Sequence, residues 1–391
     1  MNRMLFAAAA FLGAGAAATS PLACQSGAGS HVSRVSESTD GHHQHTNMIW
    51  SDGKRTMTVL LDGRVDFSDD DRSVISMDPG SWLVIDEQVR GEPSRHIEFR
   101  HEGGGVRSTY TVNGEVRSGS DADREGWLAR ILPELIRDQG LNAGPRAERI
   151  LGKEGADGLL AEIRRIRSDG VKRFYLSVLF DKARLSTAQE AAAFRIIERE
   201  ISSDGDKSSL LRPLAASLDF TAPAIRDGYF GAASSISSDG DRRMVLLAAL
   251  PRAQADAAAL TALLGATAPI SSDGDKSSVL TRSADAPALD APAARDAWFR
   301  AAGSVSSDGD RSRALLAILS RDGDRNDIAV AALESARHIS SDGDKTRVLL
   351  AVSADQLRNP QVSAAYDAAL ETISSDGDHR RAEQHAGRAR P

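Results

Sequence analysis

The sequence predicts an α+β protein, with a small antiparallel β-sheet domain followed by an α-solenoid of 34–35-residue helix-turn-helix repeats. Three observations carry that prediction. The stretch Ile-Ser-Ser-Asp-Gly-Asp-Lys at Ile201–Lys207 returns at Ile236–Arg242, Ile270–Lys276, Val305–Arg311, Ile339–Lys345 and Ile373–His379, with a looser copy at Ile166–Lys172. Successive copies start 35, 35, 34, 35, 34 and 34 residues apart; such a period marks stacked repeats, none able to bury its apolar face alone. Upstream, residues 48–118 alternate apolar with polar between glycine-rich turns, which is the strand period.

Residues 1–24 read as a signal peptide. The apolar run Met4–Ala18 follows Arg3 and is too short and alanine-rich for a membrane span. It leads to Pro21-Leu22-Ala23-Cys24, which resembles a bacterial lipoprotein site, with Leu22 one place nearer the cysteine than usual. Cys24 is the sole cysteine, so no internal disulfide forms, and lipid on it would anchor the chain to a membrane. Ordinary secretion is the second reading and an unmodified thiol the third. Residues 25–47 are polar and glycine-, serine- and histidine-rich, the composition of a flexible tether. His42, His43 and His45, with His31, are weak metal candidates there, and a solvated linker is the expectation.

The β domain spans residues 48–118. Met57–Leu61 runs through Asp62-Gly63 into Arg64–Phe67, a hairpin signal with a two-residue turn. Ser73–Met77 leads to Asp78-Pro79-Gly80-Ser81, a turn with proline and glycine in the right order. Trp82–Ile85 and His96–Phe99 read as strands; Gly103–Gly105 turns into Ser108–Val112, and Asn113-Gly114 into Glu115–Arg117. Five to seven strands with one buried face are expected. From Asp121 the period becomes helical: Trp127, Leu128, Ile131, Leu132, Leu135 and Ile136 share a stripe, with Gly140 after it. Arg146–Leu151 and Leu159–Ile166 give two more helices, and residues 119–165 are expected to cap the solenoid.

Repeats occupy residues 166–379, and 380–391 reads as a polar tail. In each copy the second serine, Ser203 in the first full one, is placed to cap a helix. Asp206 then falls where its carboxylate could reach back to the cap amide, and Asp204 and Asp206 suit the helix dipole. Apolar residues follow at fixed offsets, such as Leu210 with Leu211 and Val348–Leu350. The second helix of each unit carries its own apolar face, such as Ile225 with Tyr229 and Phe230, or Val362 with Tyr366. The recurring glycine (Gly170, Gly205, Gly240, Gly274, Gly309, Gly343, Gly377) is costly in a helix. Close backbone approach between neighbouring repeats is the expected reason, and a ligand at the amides the sharper alternative.

Aromatic content of 5% suits alanine-rich helices rather than a large sandwich, and a net charge of −7 with interleaved signs argues against nucleic acid. His101-Glu102 lacks the second histidine of a zinc-protease motif, and phosphate-loop, dinucleotide and serine-elbow patterns are missing. No cofactor is expected. Calcium is not expected at Asp204–Asp206, where two carboxylates are followed by Lys207.

Two charged columns run along the repeats: Asp206, Asp241, Asp275, Asp310, Asp344 and Asp378, each followed by Lys207, Arg242, Lys276, Arg311, Lys345 or His379. Acids facing bases in an inter-repeat ion-pair ladder are the expectation. Alternatively Arg242, Arg243, Arg311, Arg313, Lys345 and Arg347 form a stripe that docks an acidic partner.

The Ser-Ser-Asp-Gly-Asp-Lys repeats, followed by Val-Leu-Leu or a near variant, resemble a helical, HEAT-like repeat of bacterial envelope proteins. There an aromatic residue often holds the glycine position, as in Ser-Asp-Tyr-Glu-Lys. They are similar to repeats attached to membrane zinc-metallopeptidase sensors of the β-lactam-sensing kind. Pro79-Gly80-Ser81-Trp82-Leu83 and Tyr110-Thr111-Val112-Asn113-Gly114 look like the domain that precedes such repeats. The resemblance covers about residues 48–379; this sequence contains no peptidase segment or zinc ligands, so no catalytic role is implied. The expected function is a non-enzymatic, secreted or lipid-anchored scaffold in the periplasm or on the outer surface, binding an envelope protein. The rival is a hydrolase using carboxylates of the β domain such as Asp69–Asp71.

Overall fold

The structure, a computed structural model, describes residues 34–40, 43–117, 122–321 and 325–389. Cys24, His31 and His42 lie outside the described residues. The chain divides into two compact units, Met1–Asn142 and Ala143–Pro391, the first built on an antiparallel sheet and the second helical.

In the first unit, β1 (Arg34–Asp40), β2 (His43–Ser51), β3 (Arg55–Asp62), β4 (Val65–Phe67), β5 (Val74–Met77), β6 (Trp82–Val89), β7 (Arg95–Glu102), β8 (Gly105–Val112) and β9 (Glu115–Arg117) follow one another. Seven of them form one sheet in the order β1-β2-β3-β6-β7-β8-β9, and β4 pairs with β5 alone. The tether expectation for 25–47 is therefore corrected: Arg34–Asp40 and the start of β2 are paired strand. Alternation explains it, because Thr46 and Met48 point inward while His45, Asn47 and Ile49 face out.

The β3–β4 hairpin is also corrected, since β3 pairs with β2 and β6. Gly63, at φ 84°, serves a close approach instead: a Cβ there would fall 2.1 Å from Ser81 Oγ. That hydroxyl accepts the Arg64 amide at 3.0 Å. The turns at Gly103-Gly104 and Asn113-Gly114 form as expected, with φ of 60° and 81°, then 51° and 80°; consecutive positive values are what tight hairpins require.

Helix α1 (Ala122–Arg137) buries the stripe Trp127, Leu128, Ile131, Leu132, Leu135 and Ile136. It packs on Met57, Val59, Leu83, Ile85 and Ile97 of the sheet in one apolar cluster. It therefore covers the sheet rather than capping the solenoid, which corrects the expectation for the 122–137 part of 119–165, whereas residues 143–165 do pack on the first repeat helices. Under it lies Glu87, 1% exposed. Its carboxylate accepts the Trp127 indole N–H at 2.5 Å, Arg55 Nε at 2.6 Å and Arg130 Nη2 at 2.9 Å. Burial alone would raise the Glu87 carboxyl, but the indole and the two guanidiniums outweigh it and hold it below the usual range.

The second unit opens with α2 (Ala143–Arg165), kinked at Gly155, where φ is 69°. First helices of the repeats are α3 (Asp169–Lys182), α5 (Asp204–Leu214), α7 (Asp239–Ala253), α9 (Asp273–Ser283), α11 (Asp308–Leu319), α13 (Asp342–Leu350) and α16 (Asp376–Ala389). Second helices are α4 (Thr187–Glu200), α6 (Pro223–Ser234), α8 (Ala257–Thr267), α10 (Pro292–Gly303), α12 (Asn326–Ala336) and α15 (Pro360–Leu370), with a short α14 (Ala354–Leu357) before the last. Each first helix packs on the next first helix and each second on the next second, giving two layers. One continuous core joins them, filled by Tyr175, Phe194, Tyr229, Trp298 and Tyr366 at the centre. The polar tail expected from 380 is helix through Ala389, seated by Ala382 and Ala386 and by the Tyr366 hydroxyl donating to Ala382 O at 2.8 Å.

Replacing Glu87 with Gln leaves the largely buried Arg55 with Glu134 as carboxylate partner and takes from Arg130, whose side chain is 53% exposed, the carboxylate it binds. The first unit should therefore lose about 2 kcal/mol of stability at neutral pH. Because the Glu87 pKa is lowered on folding, its contribution is present above the ordinary glutamate range and is lost as pH falls through the depressed value. Denaturation followed by Trp fluorescence at pH 7 and in acid should show the wild-type advantage shrinking in acid. A constant difference would overturn the assignment.

Candidate interaction surface of the repeat array

The motif folds as a helix start. Ser203 Oγ accepts the Asp206 amide at 3.2 Å, and Ser238, Ser272, Ser307, Ser341 and Ser375 repeat that cap at 3.3 to 3.4 Å. The reach-back by Asp206 does not occur; among the described caps the reciprocal box forms only at Ser186 and Ser353, each with a glutamine at the third position. A longer arm is what the geometry requires.

The fourth motif position instead binds the following repeat. Asp204 accepts the amides of Ser237 and Ser238 at 3.0 and 2.7 Å. Asp169, Asp239, Asp273, Asp308 and Asp342 do the same for the serine pairs at 202–203, 271–272, 306–307, 340–341 and 374–375, all within 3.1 Å. Each carboxylate thus sits at one helix N-terminus while saturating the amides that lead into the next. Charge-assisted bonds of this kind are the stronger class.

The seventh position supplies the opposite pole. Lys172, Lys207, Lys276, Arg311 and Lys345 donate to the carbonyls of Glu200, Ser235, Ser304, His338 and Thr372, each the residue just before the next motif, at 2.8 to 3.1 Å. The ends of the second helices thereby receive cations where the dipole favours them. Burial pushes the Lys207 ammonium down, opposed by Asp204 and Asp169, and it pushes Lys276 down against Asp273 and Asp239. Arg242 is the exception, turning back to Ile236 O and Ser234 O of its own repeat.

The expected ladder of sixth-position acids against seventh-position bases is therefore corrected: the bases bind carbonyls. Acids of this column take arginines instead, either from the preceding repeat (Arg173 to Asp206 at 2.8 Å, Arg243 to Asp275 at 2.7 Å) or three residues on in the same helix (Arg313 to Asp310, Arg347 to Asp344, Arg381 to Asp378). The six-residue docking stripe does not survive intact either. Arg242 and Lys345 are buried, Arg311 is committed to carbonyls and Arg243 to Asp275. Only Arg313 and Arg347 stand out, their side chains 63% and 62% exposed.

Close approach does not explain the recurring glycine. A Cβ at Gly170, Gly240, Gly274, Gly309, Gly343 or Gly377 would meet nothing within 4 Å, and at Gly205 only Ser203 Oγ at 4.0 Å. The glycines lie along the outer face of the first-helix layer. That face also carries the ninth motif position (Phe174, Met244, Arg313, Arg347) and the twelfth, where Leu247 and Leu316 are half-buried and Leu350 is 38% exposed. Sequence reading assigned these leucines to the core because each directly follows two core residues.

Other sequence candidates gather no site. His43 and His45 belong to β2, and His45 Nδ1 lies 3.3 Å from Asp62 Oδ1 on the open sheet face. In the Asp69–Asp71 run, Asp70 is exposed and accepts the Ser68 hydroxyl, whereas Asp71 is 1% exposed with φ 60° and lies 3.7 Å from Arg137 Nη2. These carboxylates hold a turn together. Among the described residues no group of three or more His, Cys, Asp or Glu is placed to hold a metal, and no helix is long and apolar enough to cross a membrane. Compared with protein-family models, curated proteins and solved structures, the chain finds no match.

Two neighbouring substitutions separate the roles of the motif. Asp239→Ala removes the acceptor of two amides and should lower stability by about 2 kcal/mol. Gly240→Ala, in open space and helical conformation, should raise it by up to about 1 kcal/mol. Urea denaturation of the full chain measures both; a destabilising Gly240→Ala would mean that the glycine serves a contact the bare fold does not contain.

Proposed function

We propose that the chain is a non-enzymatic scaffold of the bacterial cell envelope, lipid-anchored through Cys24, whose repeat array presents a surface to an envelope protein. The observation that carries this reading is the division of the motif. Its fourth and seventh positions are spent on joining repeats. The ninth and twelfth, on the outer face, make no hydrogen bond across repeats among the described residues and change in chemistry along the array, from Phe174 and Met244 to Arg313 and Arg347. A rigid array with a variable face suits recognition of another protein. The resemblance of the repeats to those of envelope proteins points to the same compartment, and the lipoprotein-like stretch ending at Cys24 supports the anchor.

The test is a crosslinking capture from envelope extracts with the full chain as bait. One envelope protein should be retained reproducibly, and purified chain should not hydrolyse generic ester, peptide or phosphoester substrates. Turnover that vanishes in Asp70→Ala would overturn the reading in favour of the hydrolase. For the anchor, Cys24→Ser should move the protein from the membrane fraction to the soluble one. Protein that stays wholly with membranes is anchored by something else.

A further inference from the structure

Resting on that reading, we propose that the outer face of the last three first helices, α11, α13 and α16, docks an extended acidic segment of a partner protein with a carboxylate at every third residue. Arg313, Arg347 and Arg381 occupy the same motif position on these consecutive helices, with side chains 63%, 62% and 63% exposed. Between and beside them lie the half-buried Leu316 and the 38% exposed Leu350. The result is an apolar floor edged by guanidiniums, one per repeat.

Each guanidinium is already oriented. Asp310, Asp344 and Asp378, three residues earlier on the same helix, each bind one edge of it. The remaining N–H groups of a planar, oriented guanidinium fit a second carboxylate in a forked geometry. Because every arginine carries its aspartate, the face has little net charge for diffuse attraction. Attraction to an anionic membrane surface scales with net basic charge, so this arrangement favours a partner that places individual carboxylates.

Spacing sets the register. Packed helices lie about 8–10 Å apart, and an extended chain advances about 10 Å in three residues. Side chains three apart in a strand would face opposite ways. A segment in the polyproline II conformation, with three residues per turn and a rise of about 3.1 Å, keeps every third side chain on one face. It would therefore bring one acidic side chain to each arginine, with its valines beside Leu316 and Leu350.

Binding can be read by fluorescence anisotropy on the full chain. One labelled peptide repeats Glu-Val-Thr over about twelve residues, long enough to span three helices; a second has the same composition with its glutamates consecutive. The repeating peptide should bind at physiological salt and weaken as salt rises. It should lose about tenfold or more in affinity in R313E/R347E and in the milder R313Q/R347Q. R212E/R282E, exposed on earlier first helices, should bind like the parent, and thermal melts of all variants should stay within about 2 °C of it.

Equal binding of both peptides overturns the register, and undiminished binding in both Arg313/Arg347 variants overturns the site. Chain that ignores the peptides but sediments with phosphatidylglycerol vesicles has a membrane face here, which also overturns the proposal. If envelope capture succeeds while the repeating peptide fails to bind, only this surface assignment falls. If both fail, the scaffold reading falls with it.

Discussion

Everything in the helical unit depends on the carboxylate at the fourth motif position. Stacked helices rich in alanine offer smooth apolar faces, and apolar contact is non-directional; such layers would slide. A carboxylate that accepts two consecutive amides of the next repeat has no such freedom, because both bonds must be satisfied at once. The ammonium or guanidinium at the seventh position fixes the other pole by gripping the carbonyl that ends the intervening helix. Together they saturate polar backbone at the junction where one helix ends and another begins, a place where unpaired groups are costly. Register and polar satisfaction come from the same two side chains.

This explains what could and could not be read from the residues alone. Periodicity is local, so the α1 stripe, the serine caps and the glycine turns after β7 and β8 were legible. Partner choice across the repeat was not. Asp204 and Ser238 are separated by a whole unit, and within its own turn Asp204 looks like a charge placed for the helix dipole. The same blindness made Lys207 and Lys345 look like surface bases, although both are buried. Composition misled at β2, where histidines and glutamine masked the inward alternation of Thr46 and Met48. At Gly63 the residue was read as a turn former, whereas the constraint is Ser81 crossing beneath it.

The two units solve the same problem with different chemistry. In the sheet unit the buried carboxylate of Glu87 is saturated by an indole and two guanidiniums drawn from β3 and α1. It ties the helix to the sheet at one buried point, alongside the Arg55–Glu134 and Tyr110–Asp123 contacts. In the array the equivalent task recurs at every junction, and each tie is partly open to solvent, so no one of them carries the unit. Nearest-neighbour coupling of this kind makes stability close to a sum over junctions. Loss of one aspartate should loosen one junction, whereas loss of Glu87 removes the sheet unit's principal polar tie.

A consequence for recognition follows from how the motif divides its positions. Side chains that set the register point between repeats, and those at the ninth and twelfth positions point away from them. Substitution on the outer face therefore leaves the amide and carbonyl ties untouched. The face is accordingly free to change along the array, from Phe174 and Met244 early to Arg313, Arg347 and Arg381 late. Where the arginines begin, each is held by the aspartate one turn back, a residue whose amide is already fixed by the serine cap. The same short motif that locks the stack thus also orients the side chains that project from it, and a binding face built this way needs no ordering of its own.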